Sequence, residues 1–210
     1  MINIYMGCDN GSTGSVGILL GSGSDFFPTP VKQVPNYTKE VQMIGRIDLP
    51  AFKKKILEYC PTTTEFIIRA LIERPFMATV TTIDYTEFLK EEKKDDNPLF
   101  VDNKWMDRID LKKKVPTVNM VFLKSSLNAQ RAFEATIILM ESMKIGYEVV
   151  DSKAWQKEML GNGISGSKNL KEASKLKGIQ MFPHLEEVIK KHHDADGLLI
   201  AAYCQRYYQQ

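Results

Sequence analysis

The chain opens with alternating apolar and polar residues, which is the period-two pattern of a β-strand. The apolar positions of this first run are Ile2, Ile4, Met6 and Cys8. The run ends at Asp9, where Asp9-Asn10-Gly11 supplies turn residues. Two shorter runs, at 15–20 and 24–27, are separated by a glycine-rich turn. We therefore predict strands that form an antiparallel meander.

Helical spacing and capping residues follow further along the chain. Asp48 is a good N-cap and a proline follows it, which predicts a helix that ends near Tyr59. A nearly continuous apolar run over 66–73 predicts a strand that is covered on both faces. Apolar residues at helical spacing predict a long helix over 126–145, which Gly146 would end in a left-handed conformation.

The remaining predicted elements complete a mixed α/β order. They are a strand at 147–150 and helices at 153–160, from 168 onward and at 194–207, with a glycine-rich loop at 161–166. The expected fold is a five-stranded α/β sheet, an antiparallel meander followed by parallel strands, with helices on both faces. Residues 76–124 show no sustained period and are too many for an ordinary connection. We therefore expect a single domain, 1–210, with an insertion or mobile arm at about 76–124.

Composition places the chain among soluble globular proteins. Hydrophobic residues make up 43% and charged residues 26% of the chain, which excludes disordered, collagen-like and coiled-coil proteins. No apolar run approaches the roughly 20 residues of a membrane helix, and the N-terminus lacks a signal-peptide pattern. Three scattered cysteines fit a reducing compartment. The sequence thus predicts a cytoplasmic protein that makes no contact with a membrane.

Two acids stand at strand ends, and a third lies on the buried side of the last predicted helix. Asp9 and Glu73 each end a predicted strand, so their carboxylates share one sheet edge if these strands are parallel neighbours. Asp196 shares a helix side with apolar core positions. Because a buried carboxylate without a partner is costly, Asp196 needs a metal ion or a base beside it.

The three acids together predict an oxygen-rich pocket of the kind that holds Mg²⁺. Two such ions can activate water on one side of a phosphodiester and stabilise the leaving oxygen on the other. On a helix, His193 would share a side with Asp196, which makes it a candidate general base. Asp194 points to another side of that helix and is a candidate N-cap.

Three motifs carry a family resemblance. They are Gly7-Cys8-Asp9-Asn10-Gly11 at the first strand end, Leu71-Ile72-Glu73-Arg74-Pro75 at the middle strand end, and the late segment from His193 to Ala201. Their order and spacing resemble a RuvC-type Holliday junction resolvase of the ribonuclease H-like superfamily, over most of the chain except 76–124. The resemblance implies a ribonuclease H-like fold, a homodimer, and an endonuclease that nicks a four-way DNA junction symmetrically.

The resemblance also implies metal ligands and DNA contacts. Asp9, Glu73, His193 and Asp196 match the residues that bind two Mg²⁺ ions in this family, and Mn²⁺ is an expected substitute. Asp194 is the alternative ligand, because the pattern leaves open which residue fills the position of His193. The candidate DNA contacts are Lys168 and Lys171 after the glycine-rich loop, with Lys124 and Arg131 as weaker candidates. Departures from the family pattern favour a phage or viral member that acts in a host cytoplasm.

Three other functions fit parts of the sequence. A nuclease of flaps, forks or other branched DNA would use the same acids. The stretch from Asp9 to Gly14 also resembles the first phosphate loop of the sugar kinase and actin superfamily. Those proteins need two such domains, about twice this length. A non-catalytic ribonuclease H-like module would bind branched DNA or a partner protein, but binding alone does not require clustered buried acids.

Overall fold

The computed structural model describes residues 2–36, 43–60, 65–75, 81–83, 99–101, 104–106, 115–117 and 120–209. The chain divides into two compact units. The first unit consists of Met1–Phe76 and Asn128–Gln210, and the second of Met77–Leu127. Most of the segment 76–124 lies outside the described residues. The single domain with an insertion or mobile arm therefore stays a prediction.

Within the described residues, strands predominate before residue 120 and helices after it. The strands are β1 (Ile2–Cys8), β2 (Ser15–Leu20), β3 (Gly23–Pro28), β4 (Val31–Pro35), β5 (Met43–Ile47), β6 (Phe66–Glu73), β7 (Thr81–Ile83), β8 (Leu99–Val101), β9 (Lys104–Met106), β10 (Val115–Thr117) and β11 (Gly146–Val150). The helices are α1 (Leu49–Leu57), α2 (Met120–Ser142), α3 (Ser152–Met159), α4 (Ser167–Met181), α5 (Glu186–Lys191) and α6 (Asp196–Gln209). None of these helices has the length and apolar character that crossing a membrane requires.

A mixed sheet of five strands lies at the centre of the first unit, in the order β11-β6-β1-β2-β3. β1 pairs with β2, and β2 with β3, in antiparallel register, whereas β6 is parallel to both β1 and β11. The apolar run of β6 follows from its position between two strands and beneath helices on both faces. The predicted mixed sheet of five strands, an antiparallel meander followed by parallel strands, is confirmed.

Helices cover both faces of this sheet, as predicted. On one face, Phe52 of α1 and Met140 of α2 join a core that includes Ile4 and Ile72 of the strands. On the other face, Trp155 of α3 joins residues of α5 and α6 in a second core. Full burial of one large apolar side chain contributes about 2–3 kcal/mol. The sheet is thus stabilised from both sides, and its strand ends are held in place.

Helix α6 lies directly against the sheet because glycines remove the side chains between them. A Cβ added at Gly7 would come within 2.1 Å of the Ala201 nitrogen, and a Cβ added at Gly197 within 2.4 Å of the Ser15 carbonyl oxygen. A side chain at either position would force the helix away from β1 and β2. The close approach therefore fixes the first turn of α6 at the end of β1 and the start of β2.

The end of α2 differs from the prediction. The helix spans Met120–Ser142, and Lys144, with a φ of 55°, adopts the left-handed conformation that was predicted for Gly146. The Ile145 amide donates to the Met140 carbonyl at 2.9 Å, and the Ile145 side chain is buried in the core. This is a Schellman-type ending, in which the apolar residue after the left-handed position packs back on the helix. Gly146 instead begins β11.

The sequence pattern does not predict three further strand pairs. In the first unit, β4 and β5 form an antiparallel pair, and they lie between β3 and α1 in the chain. In the second unit, β7 pairs with β10 and β8 pairs with β9, both antiparallel. The strands of the second unit have 3 residues each, which is too short for a period to be recognised.

Candidate active site

Parallel pairing brings the two strand-end acids to one edge of the sheet. Cys8 of β1 lies opposite Ile72 of β6 in the parallel register. Asp9 directly follows β1 and Glu73 is the last residue of β6, so the two acids lie at neighbouring strand ends. This is the edge at which open α/β sheets hold their ligands.

Acids at and before the first turn of α6 complete the cluster. Asp9, Asp194 and Asp196 each offer a carboxylate oxygen, and these oxygens lie within 4.8 Å of one another. Glu73 lies close enough to interact electrostatically with Asp9 and Asp196. The structure therefore brings Asp9 and Asp196 together with Asp194, the alternative ligand from the sequence, and Glu73 lies beside them.

The surroundings of Asp9 and Asp196 disfavour the ionised forms of both carboxylates. Burial, followed by the charges of Glu73, Asp196 and Asp194, raises the pKa of Asp9 well above its usual value. Burial and then the charge of Asp194 raise the pKa of Asp196 to about 7, although a hydrogen bond from Ser174 opposes the rise. Both carboxylates are therefore groups whose ionised form a nearby cation would stabilise.

Glu73 lies beside hydrogen-bond donors of α3. Burial raises the pKa of Glu73, while the Ser152 and Trp155 side chains, which face the carboxylate, act to lower it. Trp155 has no exposed surface, and its indole N–H makes no hydrogen bond of normal geometry with the described residues. The donors at the start of α3 thus oppose the effect of burial on the pKa of Glu73 without cancelling it.

Asp194 differs from the other acids because it has basic side chains beside it. Its side chain is 3% exposed, with Oδ2 lying 3.6 Å from the Lys171 ammonium and Oδ1 lying 3.4 Å from Nδ1 of His192. Burial acts to raise the pKa of Asp194, but the hydrogen bond and charge of His192, the Asp196 amide and Lys171 outweigh it and lower the pKa. Asp194 is therefore held as a carboxylate by the protein itself.

The last helix begins at Asp196 rather than at the predicted Asp194. Side chains accept from three amides at this start: Ala195 N donates to Ser174 Oγ at 3.1 Å, Asp196 N to Asp194 Oδ1 at 3.4 Å, and Gly197 N to Ser15 Oγ at 3.1 Å. Two of these acceptors come from distant elements. The start of the helix is therefore set by tertiary contacts that no local capping pattern reveals.

His193 precedes α6, so the predicted placement of His193 and Asp196 on one side of a helix is wrong. The exposed His193 ring stacks on His192 with centroids 4.4 Å apart, and its Nε2 lies 3.0 Å from the Thr13 carbonyl oxygen. Because a carbonyl only accepts, Nε2 carries the proton and Nδ1 is the basic nitrogen. Ligand atoms of His192, His193 and Asp194 lie within 4.8 Å of one another. The role of His193 as base or ligand stays a prediction.

Sequence reasoning missed two residues that contact the acids, His192 and Ser174. His192 is half-buried and packs edge-on against Phe26, with ring centroids 5.4 Å apart. Its pKa is raised, chiefly by its hydrogen bond to Asp194. The run His192-His193-Asp194 could have drawn attention to His192, whereas no pattern distinguishes Ser174 within a lysine-rich helix.

The predicted DNA contacts differ in their surroundings. Lys168 is exposed near the start of α4. Lys171, three residues later, is 46% exposed at its side chain and pairs with Asp194. Arg131 is exposed on α2 in the first unit, whereas Lys124 belongs to the second unit. Of these four residues, Lys171 is the one for which the structure shows an ion pair with the acid cluster.

The donor set fits a divalent metal ion. Carboxylate oxygens from three residues lie within 4.8 Å of one another, and such oxygens are the ligands that Mg²⁺ and Mn²⁺ prefer. The pKa values of Asp9, Glu73 and Asp196 are all raised, first of all by burial. Lys171 acts in the opposite direction on Asp9 and Asp196 without cancelling the rise. A bound cation would offset the cost of burying these carboxylates and the repulsion between them.

Solved structures of known proteins match this chain, among them two with a low TM-score and low sequence identity. No protein-family model matches the sequence, and no curated protein is significantly similar to it. A structure of T. thermophilus RuvC in complex with a Holliday junction substrate has a TM-score of 0.39 and 10% sequence identity, over 97% of this chain and 96% of that chain. A second Thermus thermophilus RuvC structure has a TM-score of 0.38 and 11% identity, over 99% of this chain and 97% of that chain.

Proposed function

We propose that the protein is a metal-dependent, structure-selective DNA endonuclease that resolves four-way junctions by paired symmetric nicks. The observation that carries the proposal is the set of Asp9, Asp194 and Asp196 oxygens within 4.8 Å of one another, beside Glu73, at the edge of the sheet where β1 and β6 end. Clustered buried acids are costly unless cations offset them. Phosphodiester hydrolysis supplies a reason for the cluster, because it uses divalent cations held close together by carboxylates.

Asp9, Glu73 and Asp196 are the proposed metal ligands, with His193 or Asp194 completing the set. Mg²⁺ is the proposed ion and Mn²⁺ its substitute, since both prefer oxygen ligands. When bound, such ions supply positive charge that activates water and stabilises the leaving oxygen. The raised pKa values of the three proposed ligands, which burial causes first, support this choice.

His193 and the lysines have separate proposed roles, in proton transfer and in DNA binding. His193 donates from Nε2 to the Thr13 carbonyl, so its Nδ1 is the nitrogen that would accept a proton from the attacking water. Lys168 would bind backbone phosphates without reading bases. Lys171, paired with Asp194 at 3.6 Å, would place a further positive charge between the acids and the DNA.

The four-way junction and the homodimer follow from the resemblance of the sequence motifs. In a homodimer with a twofold axis, two copies of the same site would face equivalent DNA strands. That symmetry would give paired nicks without a second kind of catalytic site. The first property to test is cleavage of a four-way junction in preference to other branched DNA.

The test is cleavage of a labelled four-way DNA junction, with linear duplex, flap and fork DNA as controls, in Mg²⁺ and in EDTA. The wild type is compared with Asp9→Asn and with Glu134→Gln, an acid-to-amide change at an exposed position of α2. We expect paired symmetric nicks from the wild type and Glu134→Gln in Mg²⁺. The wild type should not cut in EDTA, and Asp9→Asn in Mg²⁺ should cut about 1,000-fold more slowly than the wild type.

Each other result selects a different function. Cutting of flaps or forks but not of junctions would replace the resolvase with a broader branched-DNA nuclease. Tight junction binding without cutting in Mg²⁺ or Mn²⁺ would favour a non-catalytic module. Thermal stabilisation by a nucleotide, without DNA binding, would favour the kinase-like interpretation of the loop from Asp9 to Gly14.

A further inference from the structure

A serine from another helix holds Asp196. Ser174 lies near the middle of α4 and has no exposed surface, and its Oγ donates a hydrogen bond to Oδ1 of Asp196. The same Oγ accepts from the Ala195 amide at 3.1 Å. One hydroxyl therefore joins α4 both to the carboxylate and to the backbone immediately before α6.

The hydroxyl of Ser174 acts between helices rather than within its own helix. Serine is a weaker helix former than alanine, and a buried hydroxyl is unfavourable unless it is hydrogen-bonded. Both hydrogen bonds that the structure shows for Ser174 go to the segment at the start of α6. The hydrogen bonds of Ser174 to Asp196 and to the Ala195 amide therefore explain why a serine occupies this buried position of α4.

Helix α4 contacts two acids through two different kinds of side chain. Lys171, three residues before Ser174, lies on the same side of the helix and pairs with Asp194 at 3.6 Å. The lysine compensates charge, whereas the serine is a neutral donor. A neutral donor can orient a carboxylate without taking the place of a cation, which is what support of a metal ligand requires.

We propose that Ser174 is a positioning residue for metal binding by Asp196. The hydroxyl restricts rotation of the carboxylate by holding Oδ1, so that Asp196 stays within 4.8 Å of the Asp9 and Asp194 oxygens. The proposal rests on the proposed metal-dependent function. It adds a residue that touches neither metal nor DNA and acts through Asp196.

The first test measures Mn²⁺ affinity by titration calorimetry without DNA, for the wild type, Ser174→Ala and Ser15→Ala. Ser15 is a matched control, because its hydroxyl is also fully buried and accepts from the Gly197 amide at the start of α6, at 3.1 Å. Loss of a group that orients a metal ligand typically weakens metal binding by about 10- to 100-fold. We expect that loss for Ser174→Ala, and we expect Ser15→Ala to keep its Mn²⁺ affinity despite a similar fall in melting temperature.

The second test separates orientation of the ligand from binding of DNA. Ser174→Ala should lower kcat for junction cleavage by about 10- to 100-fold, with KM for the junction unchanged. Ser174→Thr keeps the hydroxyl and should restore much of the Mn²⁺ affinity. If its extra methyl group prevents folding in this fully buried place, Ser174→Cys, which has a weak donor of similar size, should give an intermediate Mn²⁺ affinity.

The proposal is overturned if folded Ser174→Ala binds Mn²⁺ as tightly as the wild type, or if Ser15→Ala loses as much affinity. The second result would mean that any loosening of the start of α6 weakens the site. Absence of Mn²⁺ binding by the wild type would also overturn it. If Ser174→Ala alone loses Mn²⁺ affinity but no protein cuts DNA, the role of Ser174 stands and the proposed nuclease function fails.

Discussion

The two sides of the acid cluster are stabilised in different ways. On the strand side, Asp9 and Glu73 lie at neighbouring strand ends, and burial raises the pKa of both. On the helix side, Asp194 is also buried, but its carboxylate oxygens lie 3.6 Å from Lys171 and 3.4 Å from His192. Burial there acts to raise the pKa of Asp194, and these neighbours nevertheless lower it.

This difference separates two roles for a buried acid. An acid with its own cation stabilises the folded protein before any ligand binds, whereas an acid without one retains a repulsion that a bound cation relieves. Asp196 lies on α6 but resembles the strand-side acids, because burial and the charge of Asp194 raise its pKa to about 7. We therefore expect Asp9, Glu73 and Asp196 to depend most on a bound metal ion, and Asp194 to contribute more than they do to the stability of the fold.

The largest expected effect is the loss of cleavage when one of the three carboxylates with a raised pKa is removed. Asp9→Asn, Glu73→Gln and Asp196→Asn should each cut the junction about 1,000-fold more slowly, which corresponds to about 4 kcal/mol of lost transition-state stabilisation. Each variant should melt at the same or a higher temperature than the wild type without metal, because the amide removes a charge that the fold opposes. Single-turnover cleavage and thermal unfolding check the two parts. Normal cutting by all three folded variants would rule out this site.

Asp194→Asn should show the opposite balance between activity and stability. Loss of the charge that pairs with Lys171 and His192 should destabilise the protein by about 2 kcal/mol, while cleavage falls much less than for Asp196→Asn. Urea unfolding and single-turnover cleavage of both variants measure the two effects. If Asp194→Asn loses more cleavage than Asp196→Asn, the two residues exchange roles and the comparison between the two sides fails.

The pH dependence of stability should change when metal is added. A folded-state pKa of about 7 for Asp196, caused first by burial, means that the folded protein retains a proton that the unfolded chain has released. This contribution is fully present below about pH 4 and is lost as the pH rises to about 7. Asp194, whose pKa is lowered, contributes oppositely and only at more acidic pH.

Melting temperatures measured from pH 5 to pH 8 should therefore fall in EDTA, by less in Asp196→Asn than in the wild type. Saturating Mn²⁺ should remove much of the fall, because the metal favours the ionised carboxylates. The charged groups that face Asp196 are Asp9, Asp194, Glu73 and Lys171, so Asp194→Asn in EDTA is the control for coupling between Asp194 and Asp196. An Asp196→Asn profile as steep as that of the wild type would assign the titration to another group.

The strand side of the site was predictable from the sequence for a physical reason. A strand end is marked by its apolar run, and parallel pairing puts neighbouring carboxyl ends at one sheet edge. The register of Cys8 with Ile72 therefore makes Asp9 and Glu73 neighbours. The close approach of α6 through Gly7 and Gly197 then determines where the third acid lies.

The helix side was less predictable because distant residues determine its geometry. The hydroxyls of Ser174 and Ser15 accept amides at the start of α6, so the helix begins at Asp196 and His193 does not lie on it. Neither serine is close to these residues in sequence. The ion pair of Lys171 with Asp194 likewise depends on how α4 packs, and from the sequence alone Lys171 and Lys168 have the same predicted role.

The smallest expected effect distinguishes these two lysines. Lys168→Ala should weaken junction binding about 2- to 5-fold and reduce the slope of log affinity against log salt by about 1, as expected for one lost phosphate contact. Lys171→Ala should also lower the melting temperature, because the buried Asp194 loses a partner. Lys53→Ala, at an exposed position of α1, is the matched control. Equal melting temperatures for Lys168→Ala and Lys171→Ala would mean that the Asp194 pair does not stabilise the scaffold, and His192 would then be its remaining cation.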